Sequence, residues 1–339
     1  MNWFALGLMI LSLLCSGCER SERPRAPTAQ GAPHFDPDRE VDSIPSDRLL
    51  ERFGPLPRPA KALRFGAVMK FLGNHYWQLL ADGMSAKALA MGATLDVRSA
   101  ASEADEAGQL QNMQAMVDLG YDVIFVSPQT NTNLQPAVRA ARAAGIWVIN
   151  VDDSVLDDAS HYVGPNQYEN GVRVAKYLSE RYPAGGDVAL IRGVKNSYAT
   201  QQRSQGFLDG LKEKPYRVVA DDYGDWDLQR ALEVSTAIVR NQPRLIGIYC
   251  NNDIMAFGAV EAVKRAGHAG QILVVGTDGI GAAFESIRAG GLAGTVDTMP
   301  FKTGEIAVEV AIRLLAGQKV PRVVYSPQDI VSRESLAKN

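Results

Sequence analysis

LRFGAVMKFLGNHYWQLLADGMSAKALAMG, residues 63–92, decides the fold. It opens with an apolar run, Leu63 to Met69, of the length of one buried strand. A short connection follows that carries Lys70, Asn74, Tyr76 and Trp77. The apolar positions after it recur every three or four residues, which predicts a helix. Strand, polar loop and helix make half of a βαβ unit, and in open α/β sheets ligands sit at the carboxyl ends of such strands. A cation, an amide and two aromatic rings gathered there mark a candidate ligand site.

Working outward, strands and helices keep alternating. Ala93 to Val97 reads as a strand, Glu103 to Leu119 as a helix stopped by Gly120, and Asp122 to Val126 as a buried strand. A helix over Asn131 to Ala144 stops at Gly145, and the strand Ile146 to Val151 ends in Asp152 and Asp153. This order predicts a parallel sheet with helices on both faces. After a polar break, His161 to Gly164 reads as a short extended piece, and Asn166 caps a helix to Arg181. A second alternation then runs from Asp187 to Ala316, and Val323 to Ser332 reads as two extended pieces. The chain thus holds two similar α/β units and no short repeat of the solenoid kind.

Upstream, Trp3 to Leu14 is apolar, the length of a signal-peptide core and too short for a membrane-spanning helix. Leu14-Cys15-Ser16-Gly17-Cys18 follows and resembles a bacterial lipoprotein signal, which would lipidate Cys18; an ordinary cleaved signal with a chance cysteine is the alternative. The expected organisation is a signal peptide over 1–18 and a disordered tether over 19–60, since Glu19 to Ala60 is rich in proline, charge and small residues. Ile44 to Phe53 has the composition of a short helix, with no role assigned. Of the three cysteines only Cys250 remains after such processing, so no internal disulfide is expected, and Cys250 reads as a small core residue. A net charge of −3 over 339 residues offers nothing to nucleic acid or to an anionic membrane surface.

The polar residues collect just after strands. Lys70 follows the first and Asp152-Asp153 the fourth. In the second unit come Lys195 and Asn196 with Gln201 and Arg203 about a turn later, then Asp221-Asp222 and Trp226, then Asn251-Asn252-Asp253, then Asp278. If both sheets turn these ends toward each other, one cleft gathers carboxylates, amides and indoles. Such groups hydrogen-bond hydroxyls and cover apolar C–H faces, which suits a sugar or polyol. Strand-end Asp and Asn serve equally as helix caps. Asp253 fits a cap, Asp222 a surface position, and Trp226 core packing as well as a site. Tyr76 and Trp77 diverge in a helical turn, which leaves one of them to the core; His75 is open to either role. Asp152 and Asp153 in an extended piece point oppositely and form no natural acid–base dyad. No G-x-S-x-G elbow, P-loop or H-E-x-x-H occurs, and the four histidines, His34, His75, His161 and His268, lack metal-ligand spacing, so neither enzyme chemistry, cofactor nor metal is expected.

From about Leu63 the chain resembles the periplasmic sugar-binding proteins of ABC transporters, ribose-binding type. The motifs that carry this are Asn74, Tyr76, Trp77, Asp82 and Gly83; Asp152 after its strand; Gln201-Gln-Arg203-Ser-Gln-Gly206-Phe207; Tyr249-Cys-Asn-Asn252-Asp253 with Met255-Ala256 and Gly258-Ala259; and Val274-Val-Gly-Thr-Asp278-Gly279. The resemblance implies two Rossmann-like lobes joined by three crossovers, near Gly164, Thr298 and Ser326, that close on ligand by hinge bending. It implies an N-terminal lobe of 61–164 plus 299–326 and a C-terminal lobe of 165–298 plus 327–339. By position, the implied ligand contacts are Lys70, Asn74, Tyr76, Trp77, Asp152, Asp153, Asn166, Gln201, Trp226, Asn252, Asp278 and Thr298. Pentose binders carry Arg where this chain has Asp153 and Gln201, Gln where it has Thr298, and a small hydroxyl residue where it has Lys70. These departures point away from ribose itself, toward another sugar, a deoxysugar, a polyol or a sugar-like signal. The implied protein is a monomer held in the periplasm or cell envelope through Cys18, delivering ligand to an ABC permease. The alternative is a ligand-sensing partner of a membrane receptor.

Overall fold

The computed structural model describes residues 35–338, so the signal-like residues and Cys18 lie outside it. The chain begins with a 3-10 turn at Pro37–Arg39, strand β1 (Ser43–Pro45) and the short helix α1 (Leu49–Phe53). The alternation proper is β2 (Arg64–Met69), α2 (His75–Ala90), β3 (Thr94–Ser99), α3 (Glu106–Leu119), β4 (Val123–Val126), α4 (Gln135–Ala143), β5 (Trp147–Val151) and β6 (His161–Gly164). The second unit holds α5 (Gln167–Arg181), β7 (Gly186–Arg192), α6 (Tyr198–Leu211), β8 (Tyr216–Tyr223), α7 (Leu228–Asn241), β9 (Leu245–Cys250), α8 (Asp253–Arg265), β10 (Leu273–Asp278), α9 (Gly281–Ala289) and β11 (Gly294–Asp297). Helix α10 (Pro300–Leu315), strands β12 (Val323–Tyr325) and β13 (Asp329–Ser332), and helix α11 (Arg333–Leu336) complete the chain.

Two sheets result. The first has the order β1-β12-β6-β5-β4-β2-β3 and the second β13-β11-β10-β9-β7-β8. Pairing is parallel throughout except for β13, which lies antiparallel on β11. The chain therefore passes between the sheets three times: after β6, after β11 and after β12. Central strands such as Val123–Val126 and Trp147–Val151 are buried at every position, as expected where helices cover both faces of a parallel sheet. Gly120 ends α3 in the left-handed conformation (φ 67°), which glycine adopts without a Cβ clash. Helices α5 and α6 meet backbone to backbone: a Cβ at Gly171 would lie 2.0 Å from the Arg203 carbonyl oxygen, and one at Gly206 would lie 2.0 Å from that of Tyr168. This close approach fixes where α6 presents Arg203.

Several sequence expectations need correction. The expected tether over 19–60 is folded from residue 35 on. Phe35, Ile44 and Leu49 are buried, and β1 forms the edge of the first sheet beside β12. Three apolar residues spread along a polar stretch show no periodicity, so only long-range packing reveals them. Helix α3 starts at Glu106, capped by Asp105, and leaves Glu103 in the preceding loop; α4 is likewise shorter than expected. Strand β8 runs on through Tyr223, so Asp221 and Asp222 lie within an edge strand, where Asp221 accepts from Arg192 Nη2 at 2.6 Å.

Candidate functional site

The β2 strand delivers Lys70 to its carboxyl end, where the side chain is 2 % exposed. A buried ammonium needs partners. Nζ donates to Asp153 Oδ2, lies 3.8 Å from Glu103 Oε2, and stands 5.5 Å from the centre of the Trp77 ring. Burial pulls the Lys70 pKa down, but Asp153, Glu103 and Asp152 outweigh it and the pKa ends above the ordinary lysine value. Asn74 caps α2: its Oδ1 accepts from Tyr76 N at 3.0 Å, which leaves Nδ2 to donate to Glu103 Oε1 at 3.0 Å. Trp77 Nε1 donates to the same Oε1 at 2.9 Å. Asn74 is thus a helix cap that also lines the cleft. Tyr76 and Trp77 do not divide between core and cleft. Both are buried, both line the cleft, and their rings pack edge to face at 4.9 Å.

Asp152 and Asp153 follow β5 in the left-handed conformation, at φ 57° and 53°. Short polar side chains tolerate this region better than most. The turn, rather than extended chain, is why both carboxylates line one cleft, against the expectation that they diverge. They take different partners. Asp152 accepts from the Tyr76 hydroxyl, from Gln167 Nε2 and from Asp153 N (2.6 Å). Asp153 accepts from Lys70 and, at 2.7 Å, from Ser197 Oγ of the second sheet's side. Burial raises the Asp152 pKa, opposed by the Arg203 guanidinium and the Tyr76 hydroxyl.

From the other side, Arg203 extends inward from α6. Its Nε donates to Gln167 Oε1 at 2.8 Å and its Nη1 to the Asn251 carbonyl at 2.7 Å, with Asp278 Oδ1 at 3.5 Å. Its guanidinium lies 6.0 Å from the Trp226 ring centre. Trp226 itself is left-handed (φ 62°), and its ring covers Gly193, where a Cβ would meet the ring at 2.2 Å. Asn252 caps α8 by accepting from Met255 N at 2.9 Å, and its side chain also lines the cleft. Asp253 is tied up by Gly279 N (3.0 Å), Ile280 N (3.2 Å) and Thr295 Oγ1 (2.6 Å), and holds the turn after β10 that presents Asp278. Burial pushes Asp278 well above the usual carboxylate range, opposed by Arg203.

Together these residues line one cleft between the two sheets, with four acidic side chains, two cations, two amides and three aromatic rings. Such a wall can hydrogen-bond many hydroxyls at once and stack on apolar faces. Among the described residues no cluster of His, Cys, Asp or Glu is arranged to hold a metal.

Three predicted contacts lie elsewhere. Asn166 caps α5 through Glu169 N (2.8 Å), and its backbone is clasped by Gln328 (2.7 and 3.1 Å), so it ties two crossovers together. Gln201 is exposed, with Nε2 3.5 Å from the Lys195 carbonyl. Two residues on a helix are separated by about 200°, so the face that brings Arg203 inward turns Gln201 out. Lys195 and Asn196 are exposed as well. Thr298 is buried behind the wall, 3.2 Å from the Tyr76 hydroxyl and donating to the Asp278 carbonyl at 3.2 Å. Conversely, Glu103 and Arg203 line the cleft without having been predicted as contacts. Glu103 follows β3, so the rule that polar residues gather after strands applied to it too.

Residues 65–319 match the family described as periplasmic binding protein domain. The chain is 32% identical over 282 residues to the D-ribose/D-allose-binding protein of Pseudomonas aeruginosa, covering 79% of this chain and 88% of that one. It is 30% identical over 277 residues to the D-allose-binding periplasmic protein of Escherichia coli, covering 79% and 89%. Its fold is similar to the periplasmic solute-binding protein of an ABC transporter from Actinobacillus succinogenes with bound D-allose. The TM-score is 0.78 and the identity 32%, over 82% of this chain and all of that one (100%).

Proposed function

The chain belongs to the periplasmic binding protein family, and on that premise we propose that it captures a sugar outside the cytoplasm and hands it to an ABC importer. The observation that carries this is the cleft between the two sheets, where Lys70, Glu103, Asp152, Asp153, Arg203, Asn252 and Asp278 meet the rings of Tyr76, Trp77 and Trp226. The relatives that bind D-allose or D-ribose direct the reading to an aldose of that size. Carboxylates accept from its hydroxyls, Arg203 and the Asn252 amide donate to its oxygens, and Trp226 with Tyr76 and Trp77 covers its C–H faces. Trp226 Nε1, buried and without a hydrogen-bond partner among the described residues, is a further donor on this wall. Residues from both lobes touch one ligand, so the ligand favours the closed arrangement through contacts that the open one lacks.

Binding and release are the whole cycle in this reading, and no covalent step is assigned to any residue. Cys18 is the point of lipid attachment, which keeps the protein beside its permease. The lobes are 61–164 with 299–326, and 165–298 with 327–339. A thermal-shift screen against D-allose, D-ribose, deoxysugars, polyols and autoinducer-2 tests the reading, because a ligand that binds only the native state raises the melting temperature. A flat response across all of them at millimolar concentration would sink it.

A further inference from the structure

The segment that precedes the family match, residues 35–54, connects the two lobes outside the cleft. It is built into the first lobe. Strand β1 pairs with β12, Val323 N donates to the Asp42 carbonyl at 3.1 Å, and buried Arg313 holds the Gly54 carbonyl at 3.1 Å. Its first residues grip the second lobe. The Asp38 carboxylate accepts from Gln167 N (3.2 Å) and Tyr168 N (2.9 Å), the first two N–H groups of α5. Burial pushes the Asp38 pKa up to about 7, opposed by these two N–H donors, which lack partners within the helix. The Tyr198 hydroxyl, at the start of α6, donates to Asp36 Oδ1 at 2.5 Å and accepts from Asp38 N at 3.1 Å. Phe35 shares one apolar cluster with Val155, Tyr162 and Val323 of the first lobe and Tyr198 of the second. None of these residues lines the cleft.

We propose that residues 35–45 form a strap that latches the lobes in the closed arrangement. An opening rotation has to pull Tyr198 and the start of α5 away from a segment fixed to the first sheet. The strap therefore raises the population of the closed state in the absence of ligand and slows ligand release. This rests on the reading above, that the lobes open and close around a ligand.

The test compares wild type with Tyr198→Phe, which removes both hydroxyl contacts and keeps the ring against Phe35, and with Asp38→Ala. Circular dichroism checks that each is folded. Small-angle X-ray scattering of the ligand-free chains is expected to give a larger radius of gyration for both variants than for wild type. Stopped-flow tryptophan fluorescence, reporting through Trp77 and Trp226, is expected to show D-allose leaving at least roughly fivefold faster, the factor that one lost hydrogen bond alone supplies. Unchanged ligand-free scattering in both folded variants overturns the strap, whatever the release rate. If D-allose does not bind at all, the scattering alone decides. If no sugar compacts wild type or variants, the hinge-closure reading fails instead.

Discussion

Ser197 Oγ donates to Asp153 Oδ1 at 2.7 Å and so joins the second lobe to the first across the cleft. The bond relies on two local features: Asp153 in a left-handed turn after β5 and Ser197 at the N-terminus of α6. Lys70 holds the other oxygen of the same carboxylate. Asp153 thus bridges Lys70 of the first lobe and Ser197 of the second. Ser197→Ala should weaken sugar binding by about 1 kcal/mol, roughly fivefold in Kd, because the closed state loses one buried bond. Isothermal titration with D-allose measures this; an unchanged Kd would place the bond in both the open and closed states.

Lys70→Met should be costly to stability even without ligand. It leaves Asp153 and Glu103 facing each other without their shared cation, and breaking a buried ion pair on one side costs about 3–5 kcal/mol. Urea denaturation at neutral pH checks it. A loss below about 1 kcal/mol would mean that the pair is solvated far more than its 2 % exposure indicates.

Gly193→Ala should reduce ligand affinity without replacing any residue of the cleft wall. The new methyl would stand 2.2 Å from the Trp226 ring, so the ring has to move. An aromatic face displaced from a sugar is expected to cost about 1 kcal/mol or more. Trp226→Ala should show a similar loss with the fold intact, and if it unfolds the chain instead, the ring belongs to the core.

His161 should contribute a loss of stability in acid. Its sign is opposite to that of the Asp38, Asp253 and Asp297 carboxyls, whose pKa values burial raises to between about 6 and 7 and which add stability as pH falls. Burial pulls the His161 pKa down to about 4, with Nε2 3.2 Å from the Val320 carbonyl and Nδ1 unpartnered among the described residues. The unfolded imidazole titrates near 6.5, so below that pH the unfolded state binds the extra proton. The contribution is intact above about pH 6.5 and is lost as pH falls toward 4, on the order of 3 kcal/mol in all. His161→Gln, which keeps a donor for Val320, should raise the urea midpoint at pH 5 relative to that at pH 7, compared with wild type. Equal pH dependence in variant and wild type would reject this assignment.

Much of the lining of the candidate cleft is legible in the sequence. Lys70, Asn74, Asp152 and Asn252 follow strands and Asp278 ends one, and strand ends are readable from apolar runs. Strand-end Asn also suits helix caps, and Asn74 and Asn252 both cap with the oxygen while Asn74 gives its nitrogen to Glu103. What failed was the choice between close neighbours. Gln201 was expected where Arg203 enters, because helical phase depends on where α5 and α6 touch through Gly171 and Gly206. The periodicity places Glu103 in a helix, whereas α3 starts three residues later at Glu106 and frees Glu103 to stand 3.8 Å from Lys70 Nζ.

By itself the sequence determined the fold class and the gathering of polar groups at one end of each strand. Both follow from local rules: periodicity sets the elements, and parallel strands put their carboxyl ends on one side of a sheet. Only the tertiary structure decided which side chains face the cleft, that Asp152 and Asp153 turn inward together, and that residues 35–60 belong to the fold. Those outcomes depend on contacts between residues tens to more than a hundred positions apart, from Gly171 with Arg203 to Asp38 with Tyr168, which no short-range pattern encodes.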